Sequence, residues 1–407
     1  MPQRGLAYLL VFAAAAVGAG LVRTVATTYL PVILADVKDS PGLIGSAMLI
    51  NALAGFAVPL AVGIWSDRRH TDQHGRRPFI AVGSLVAAAG LAAVALGARN
   101  SFLLAALFGL VAYVGVNAVT TAHRALVHDC FDEGSHARAN GAQELAMLVG
   151  ALLGLVAGGL LSMAATWAPF ILAAVGMPLL AWPTLRRVPV AAGLAYRALD
   201  RASRPPVRHY LSILVRPGVR AMLAAEILWV LGYAALPVFF VLYAKNVLGL
   251  STGMASLWLA GFAVGSGVVM AAAGHVTTAR WHKPGLIFGV ALMGAGFFAV
   301  AASSNIFAVS MAVIPAAIGF GLISTLGFSL FAAIIPRGDA GGYTALYFSL
   351  RAAAAMVALP LAGWLIAATG SYRTLFLLAG AATLAALLPL AFAPSPARAA
   401  TMRAAAP

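Results

Sequence analysis

A chain of 407 residues that is 62% hydrophobic and only 9% charged cannot cover soluble domains, which carry about 25% charged residues; it reads as a polytopic membrane protein. Its net charge of +15 does not indicate nucleic-acid binding, because the basic residues fall in short gaps between apolar runs instead of forming one patch. One cysteine, Cys130, excludes an internal disulfide and any multi-cysteine metal site.

A helix needs about 20 apolar residues to cross the hydrocarbon core. On that rule twelve spans follow in chain order: 6–33, 42–65, 79–98, 102–127, 138–162, 167–185, 218–244, 252–276, 285–303, 306–335, 343–369 and 373–393. The first follows Arg4 and begins like a signal peptide, but its apolar stretch is too long for one, so it reads as a retained helix. With the N-terminus inside, 20 of the 26 lysines and arginines lie in inner segments and four in outer ones. Arg23 and Arg351 fall inside spans. This asymmetry places both termini in the cytoplasm, with a bacterial inner membrane as the expected location.

One long non-apolar gap divides the spans. Residues 1–185 form an N-terminal six-helix half, 186–217 a basic cytoplasmic linker, 218–395 a C-terminal six-helix half, and 396–407 a cytoplasmic tail. Duplicated six-span halves are a recurrent transporter architecture with cargo bound near the midplane. The linker, 32 residues long, is too short to build a core and reads as a segment lying on anionic headgroups. The fold class is all-α, twelve transmembrane helices in two halves.

The segment between spans 2 and 3 runs Gly63-Ile-Trp-Ser-Asp67-Arg68-Arg, then His-Thr-Asp-Gln-His, then Gly75-Arg76-Arg77-Pro-Phe-Ile80. A carboxylate can cap a helix N-terminus, and neighbouring arginines pair with carboxylates or headgroups. The segment resembles the loop signature of the major facilitator superfamily. That resemblance implies a gating role for Gly63, Asp67, Arg68, Gly75, Arg76 and Arg77; the plainer alternative is an ordinary basic inner turn. Further on come His123-Arg-Ala-Leu-Val-His-Asp129, Ala139-Asn140, Met147, Val149-Gly150 and Gly154. Together with Ser66-Asp67 through Ile80, they are similar to the sucrose–proton symporters and their glycoside-transporting relatives, over about residues 60–160. Two positions depart from that branch: Tyr113 stands where it carries a proton-binding aspartate, and Glu144 where it carries a small polar residue.

Ionisable groups inside spans are expensive and mark functional sites by default. At about 1.5 Å per residue, Arg124 and Glu144 lie within roughly 5–9 Å of the inner face, and Glu226 and Arg351 both roughly 12 Å deep. Each acid can therefore reach an arginine in its own half. Such a pair is either structural or proton-coupling: burial disfavours the charged carboxylate, a neighbouring arginine favours it, and the sequence leaves the balance open. Arg23 has no carboxylate at its depth and reads as a cargo contact. Tyr113, Trp229 and Tyr233 are deep enough to stack on an amphipathic cargo. Asn117, Thr120, Thr121, Ser324 and Thr325 add hydrogen-bonding groups. Tyr343 and Tyr347 lie nearer a span end and read as interface anchors, and the histidines near helix ends as solvated. Gly150, Gly154 and Gly158 recur every four residues on span 5, and Gly261 and Gly265 on span 8. Small residues so spaced let helices approach closely, and the resemblance implies that these two faces meet.

No nucleophile–base set, metal-ligand spacing or phosphate loop occurs, so neither an enzyme nor an ATP-driven pump is expected, and no cofactor. The expected function is secondary active transport of a small solute, proton-coupled, with a sugar or glycoside as candidate cargo. The alternative is a proton-antiporting exporter of drugs or secondary metabolites. Expected partners are the solute, protons and the lipid bilayer, and no nucleic acid, with the chain a monomer. The topology is checked by cysteine labelling. In a Cys130-free variant, a cysteine placed within 186–217 is expected to react only after the inner face is exposed; labelling in intact cells overturns the orientation.

Overall fold

A helix apolar on every side finds lipid as good a solvent as its neighbours, and this chain is built almost wholly of such helices. In a computed structural model, the residues described are 6–68, 76–97, 100–131, 136–188, 217–276, 278–334 and 340–394. They form α1 (Leu6–Val37), α2 (Pro41–Arg68), α3 (Arg77–Leu96), α4 (Phe102–Cys130), α5 (His136–Ala164), α6 (Ala168–Arg187) and α7 (Pro217–Tyr233). There follow α8 (Leu236–Leu248), α9 (Thr252–Val276), a 3-10 turn (Ala279–Trp281), α10 (His282–Ala302), α11 (Ile306–Ile334), α12 (Ala340–Thr369), α13 (Arg373–Ala385) and α14 (Leu387–Phe392). Twelve stretches are long and apolar enough to cross a membrane, each at a position expected from the sequence.

Two of these stretches are not single helices. Span 7, Gly218–Leu248, is broken between Tyr233 and Leu236 into α7 and α8. Pro237 has no N–H to donate to the Tyr233 carbonyl, and its ring crowds the preceding turn. Pro389 acts likewise in span 12, where α13 ends at Ala385 and α14 begins at Leu387. Tight connections between successive spans need left-handed backbone at Gly249 (φ 67°) and Gly370 (φ 66°), which glycine adopts without strain.

The chain divides into two compact units. The first is Met1–Tyr196 with Pro237–Lys245 and Gly249–Ala260; the second is Arg197–Leu236 with Asn246–Leu248 and Gly261–Pro407. In the first unit, α1 is the central rod, packed against α4, α5 and α6. Its approach to α5 depends on glycine. A Cβ at Gly20 would run into the Met147 carbonyl, and one at Gly150 into the Val17 carbonyl. A Cβ at Gly154 would sit 3.1 Å from Thr24, and one at Gly158 3.0 Å from the Tyr29 hydroxyl. The small-residue face of α5 thus packs on α1 and not on span 8, because Gly20 gives α1 the matching hollow. Gly159, one residue round the helix, meets α9 instead, with a Cβ 3.1 Å from the Gly253 carbonyl. A Cβ at Gly261 would meet nothing within 4 Å.

Each unit also closes a helix end with a cation. The Arg77 guanidinium, at the start of α3, donates to the Val188 carbonyl just beyond α6. Lys283 Nζ, at the start of α10, donates to the carbonyls of Ala391 (2.9 Å) and Ala393 at the end of α14. Both contacts satisfy terminal carbonyls that no helical N–H reaches. In the first unit, Lys245 Nζ on α8 and Asp36 Oδ1 on α1 form a half-exposed ion pair of 2.9 Å.

Gly150→Ile is expected to destabilise the purified protein by about 1–3 kcal/mol or more, through overpacking against backbone. Gly261→Ala should leave the melting temperature unchanged or slightly raised, since it adds helix propensity and meets open space. Thermal melts in detergent check both; equal melting of the two variants contradicts the packing described.

Candidate functional site

Two polar constellations lie inside the spans, one in each unit. In the first, α1 is covered by its neighbours so completely that, between Val11 and Ala35, Arg23 alone is exposed. Its Nη2 donates to Asn117 Oδ1 on α4 at 3.3 Å. Asn117 is itself oriented by its Nδ2, which donates to the Tyr113 carbonyl one turn earlier at 2.8 Å. One turn along α1 from Arg23, the Thr27 hydroxyl meets the Tyr113 hydroxyl at 2.7 Å. Tyr113, Asn117, Thr120, Thr121 and Arg124 recur at helical spacing along one side of α4. The hydroxyls of Thr120 and Thr121 turn back to the carbonyls of Val116 (2.6 Å) and Asn117 (2.8 Å).

Lower on the same helices, α4 and α5 pair twice in succession. Arg124 Nη2 donates to Glu144 Oε1 at 2.7 Å, but the side chains are 56% and 63% exposed. This pair is therefore open rather than buried, because both residues lie toward the outer side of the α4–α5 contact. Buried behind it, the Gln143 amide reaches the His123 carbonyl at 2.8 Å and His123 Nδ1 at 3.1 Å. His123 Nε2 lies 2.7 Å from the Phe12 carbonyl, which only accepts, so the ring carries its proton on Nε2 and Nδ1 accepts from Gln143. His123 is 2% exposed and stacks on Phe12 at 4.8 Å. A solvated histidine was expected; burial follows because its ring satisfies both nitrogens internally.

In the second unit Glu226, on α7, is fully buried. Its Oε2 accepts from the Tyr347 hydroxyl of α12, and its Oε1 lies 3.6 Å from Arg351 Nη1, also on α12. Oε1 has no hydrogen-bond partner; Arg351 acts on the carboxylate through its charge, and the Trp229 side chain also interacts with it. Tyr347 and Arg351 are four residues apart and share a helix face, so α12 presents a donor and a cation to one carboxylate. Arg351 also lies over the Tyr233 ring at 5.8 Å, a cation–π distance, and Tyr233 stands edge-on to Phe320 at 5.1 Å.

Several expected residues fall elsewhere than anticipated. Tyr347 is 2% exposed and packed against Phe331 at 4.8 Å and Phe328 at 5.4 Å, not at an interface; its spacing from Arg351 is the signal that would have marked it. Trp229, expected to meet cargo, is 1% exposed with its ring against Gly327, which walls in Glu226. Thr325 turns its hydroxyl to the Gly321 carbonyl at 3.0 Å, and Ser324 is half-buried on the same helix. Of the gate-like loop, Gly63, Asp67 and Arg68 lie on the last turns of α2, while Arg76 is buried beside Arg77 at the start of α3. Gly75 lies outside the described residues.

Arg351→Ala would leave Glu226 without its counter-charge. Because the Arg351 side chain is 37% exposed, the expected loss is below the about 3–5 kcal/mol of a fully buried broken pair. Glu226→Gln/Arg351→Gln should recover most of it in thermal melts; a double variant no more stable than Arg351→Ala contradicts the pairing.

The family model described as Major Facilitator Superfamily matches residues 12–282 and 231–406. No curated protein matches the sequence. Among solved structures, the chain is similar to a bacterial homolog of the human lysosomal transporter Spinster, at 15% identity, TM-score 0.72, covering 98% of this chain and 97% of that one. It is similar to the nucleoside transporter NupG, at 12% identity and TM-score 0.74, covering 94% and 98%. It is also similar to a D-xylose–proton symporter, at 17% identity and TM-score 0.65, covering 95% and 96%.

Proposed function

The chain belongs to the major facilitator superfamily, and from that premise we propose that it is a proton-coupled secondary transporter of a small polar solute of the sugar or glycoside class. The observation that carries this reading is the buried carboxylate of Glu226, held between the Tyr347 hydroxyl and the Arg351 guanidinium. A carboxylate enclosed at hydrocarbon depth persists as an anion only while a cation and a donor face it. Adding a proton to Glu226 cancels its attraction for Arg351 across 3.6 Å. The guanidinium, already partly exposed, then becomes free to turn away. Removing the proton restores the pair. Two discrete arrangements biased by one proton are what coupling requires. The D-xylose–proton symporter among the structural neighbours supports coupling of this kind and a sugar as the first solute to try.

The test is transport by the reconstituted protein in vesicles with an imposed pH gradient, using radiolabelled D-xylose, sucrose, methyl glucoside, D-glucuronate and D-glucose 6-phosphate. The wild type should accumulate one of them when the gradient drives protons with it. Glu226→Gln mimics the protonated acid: exchange of solute across the membrane should persist, and accumulation should fall to the level set by equilibration alone. If Glu226→Gln accumulates with unchanged pH dependence, the Glu226–Arg351 pair is structural. Glu144 then takes its place as the leading coupling residue.

A further inference from the structure

The two in-span constellations differ in charge. In the second unit, Glu226 and Arg351 compensate one another. In the first, Arg124 is matched by Glu144, and Arg23 is left over. Among the described residues Arg23 has no carboxylate partner; its one hydrogen bond goes to the neutral Asn117 amide. A guanidinium carries five N–H donors, so most of those on Arg23 remain unused. Arg124 and Glu144 lie within its electrostatic reach and, being one of each sign, leave the local balance positive.

The placement is not that of a lipid-facing side chain snorkelling to an interface. Other helices expose apolar stripes, such as Val264 and Val268 on α9. Between Val11 and Ala35, α1 has no such stripe: it is covered on all sides except at Arg23, which is flanked by the half-buried polar Thr24 and Thr27. Arg23 sits mid-helix, the eighteenth residue of 32 in α1, and Asn117 and Tyr113 fix its approach through a chain of bonds anchored in the α4 backbone. An uncompensated cation at this depth is costly. A planar donor fork with free N–H groups matches the two oxygens of a carboxylate or phosphate.

We infer that the solute handled by this protein is an anion, bearing a carboxylate or phosphate that Arg23 binds through the N–H groups Asn117 leaves free. The inference rests on the transport reading above and narrows its solute class from neutral sugars to acidic ones. Thr27 and the Tyr113 hydroxyl lie beside Arg23 as neutral hydrogen-bonding groups for the rest of the molecule.

Matched probes test this on the full-length protein in detergent, by ligand-induced thermal stabilisation. D-Glucuronate and D-glucose 6-phosphate are compared with D-glucose, and benzoate with benzyl alcohol. At least one acid should bind ten-fold or more tightly than its neutral partner, and the pairing of carboxylate against phosphate shows which anion is preferred. Arg23→Gln should weaken that acid by about 10–100-fold, the range of a charge-assisted bond, without lowering the unliganded melting temperature. Arg23→Lys should keep the preference for the anion at reduced affinity. Wild-type protein with no ten-fold preference for any acid, including no binding at all, overturns the inference. So does an acid whose binding survives Arg23→Gln. The two readings fail separately: acids that bind through Arg23 but never cross the vesicle membrane sink the transport reading alone. A neutral sugar accumulated on the pH gradient by Arg23→Gln sinks the anion reading alone.

Discussion

A formal charge held at hydrocarbon depth has to be answered by a counter-charge, by hydrogen bonds or by an opening to water, and much of this molecule is arranged around that demand. Glu226 is met by two groups from one face of α12. Arg124 and Glu144 meet at an open edge where solvation does most of the work. Arg23 is the exception, steadied by a neutral amide and left with spare donors. The helices that carry these residues are otherwise so apolar that a misplaced charge has no alternative home. Position along the helix is thus fixed as tightly by electrostatics as by packing.

The same economy governs helix ends. In each unit a basic residue at the start of the third span reaches the last carbonyls of the sixth: Arg77 to Val188, and Lys283 to Ala391 and Ala393. A cation at a helix C-terminus also meets the favourable end of the helix dipole.

The twelve spans were legible because each is an apolar run far longer than any soluble core needs. Depth along a span was legible too, from the fixed rise per residue. What depth does not provide is direction around the helix axis. Arg124, Glu144, Glu226 and Arg351 could be assigned heights, yet the opening of one pair and the enclosure of the other depend on which side of each helix faces a neighbour. Tyr347 was misjudged for this reason: its height suggested an interface, whereas its azimuth, shared with Arg351, aims it at Glu226. His123 hides its burial for a different cause, because the Gln143 and Phe12 groups that satisfy it lie 20 and 111 residues away. The glycine face of α5 was readable as a close contact, but its partner was not, since α1 and α9 both offer glycine.

The proline break in span 7 has a mechanical meaning. An uninterrupted helix over Gly218–Leu248 would behave as one stiff rod of roughly 46 Å, so that any tilt near Glu226 would swing Lys245 by a comparable angle. Pro237 replaces that rod with two shorter ones joined through Ala234 and Ala235. The division between the compact units falls at Leu236 and Pro237 as well. The span thus has one backbone joint between the stretch that carries Glu226 and the stretch that carries Lys245.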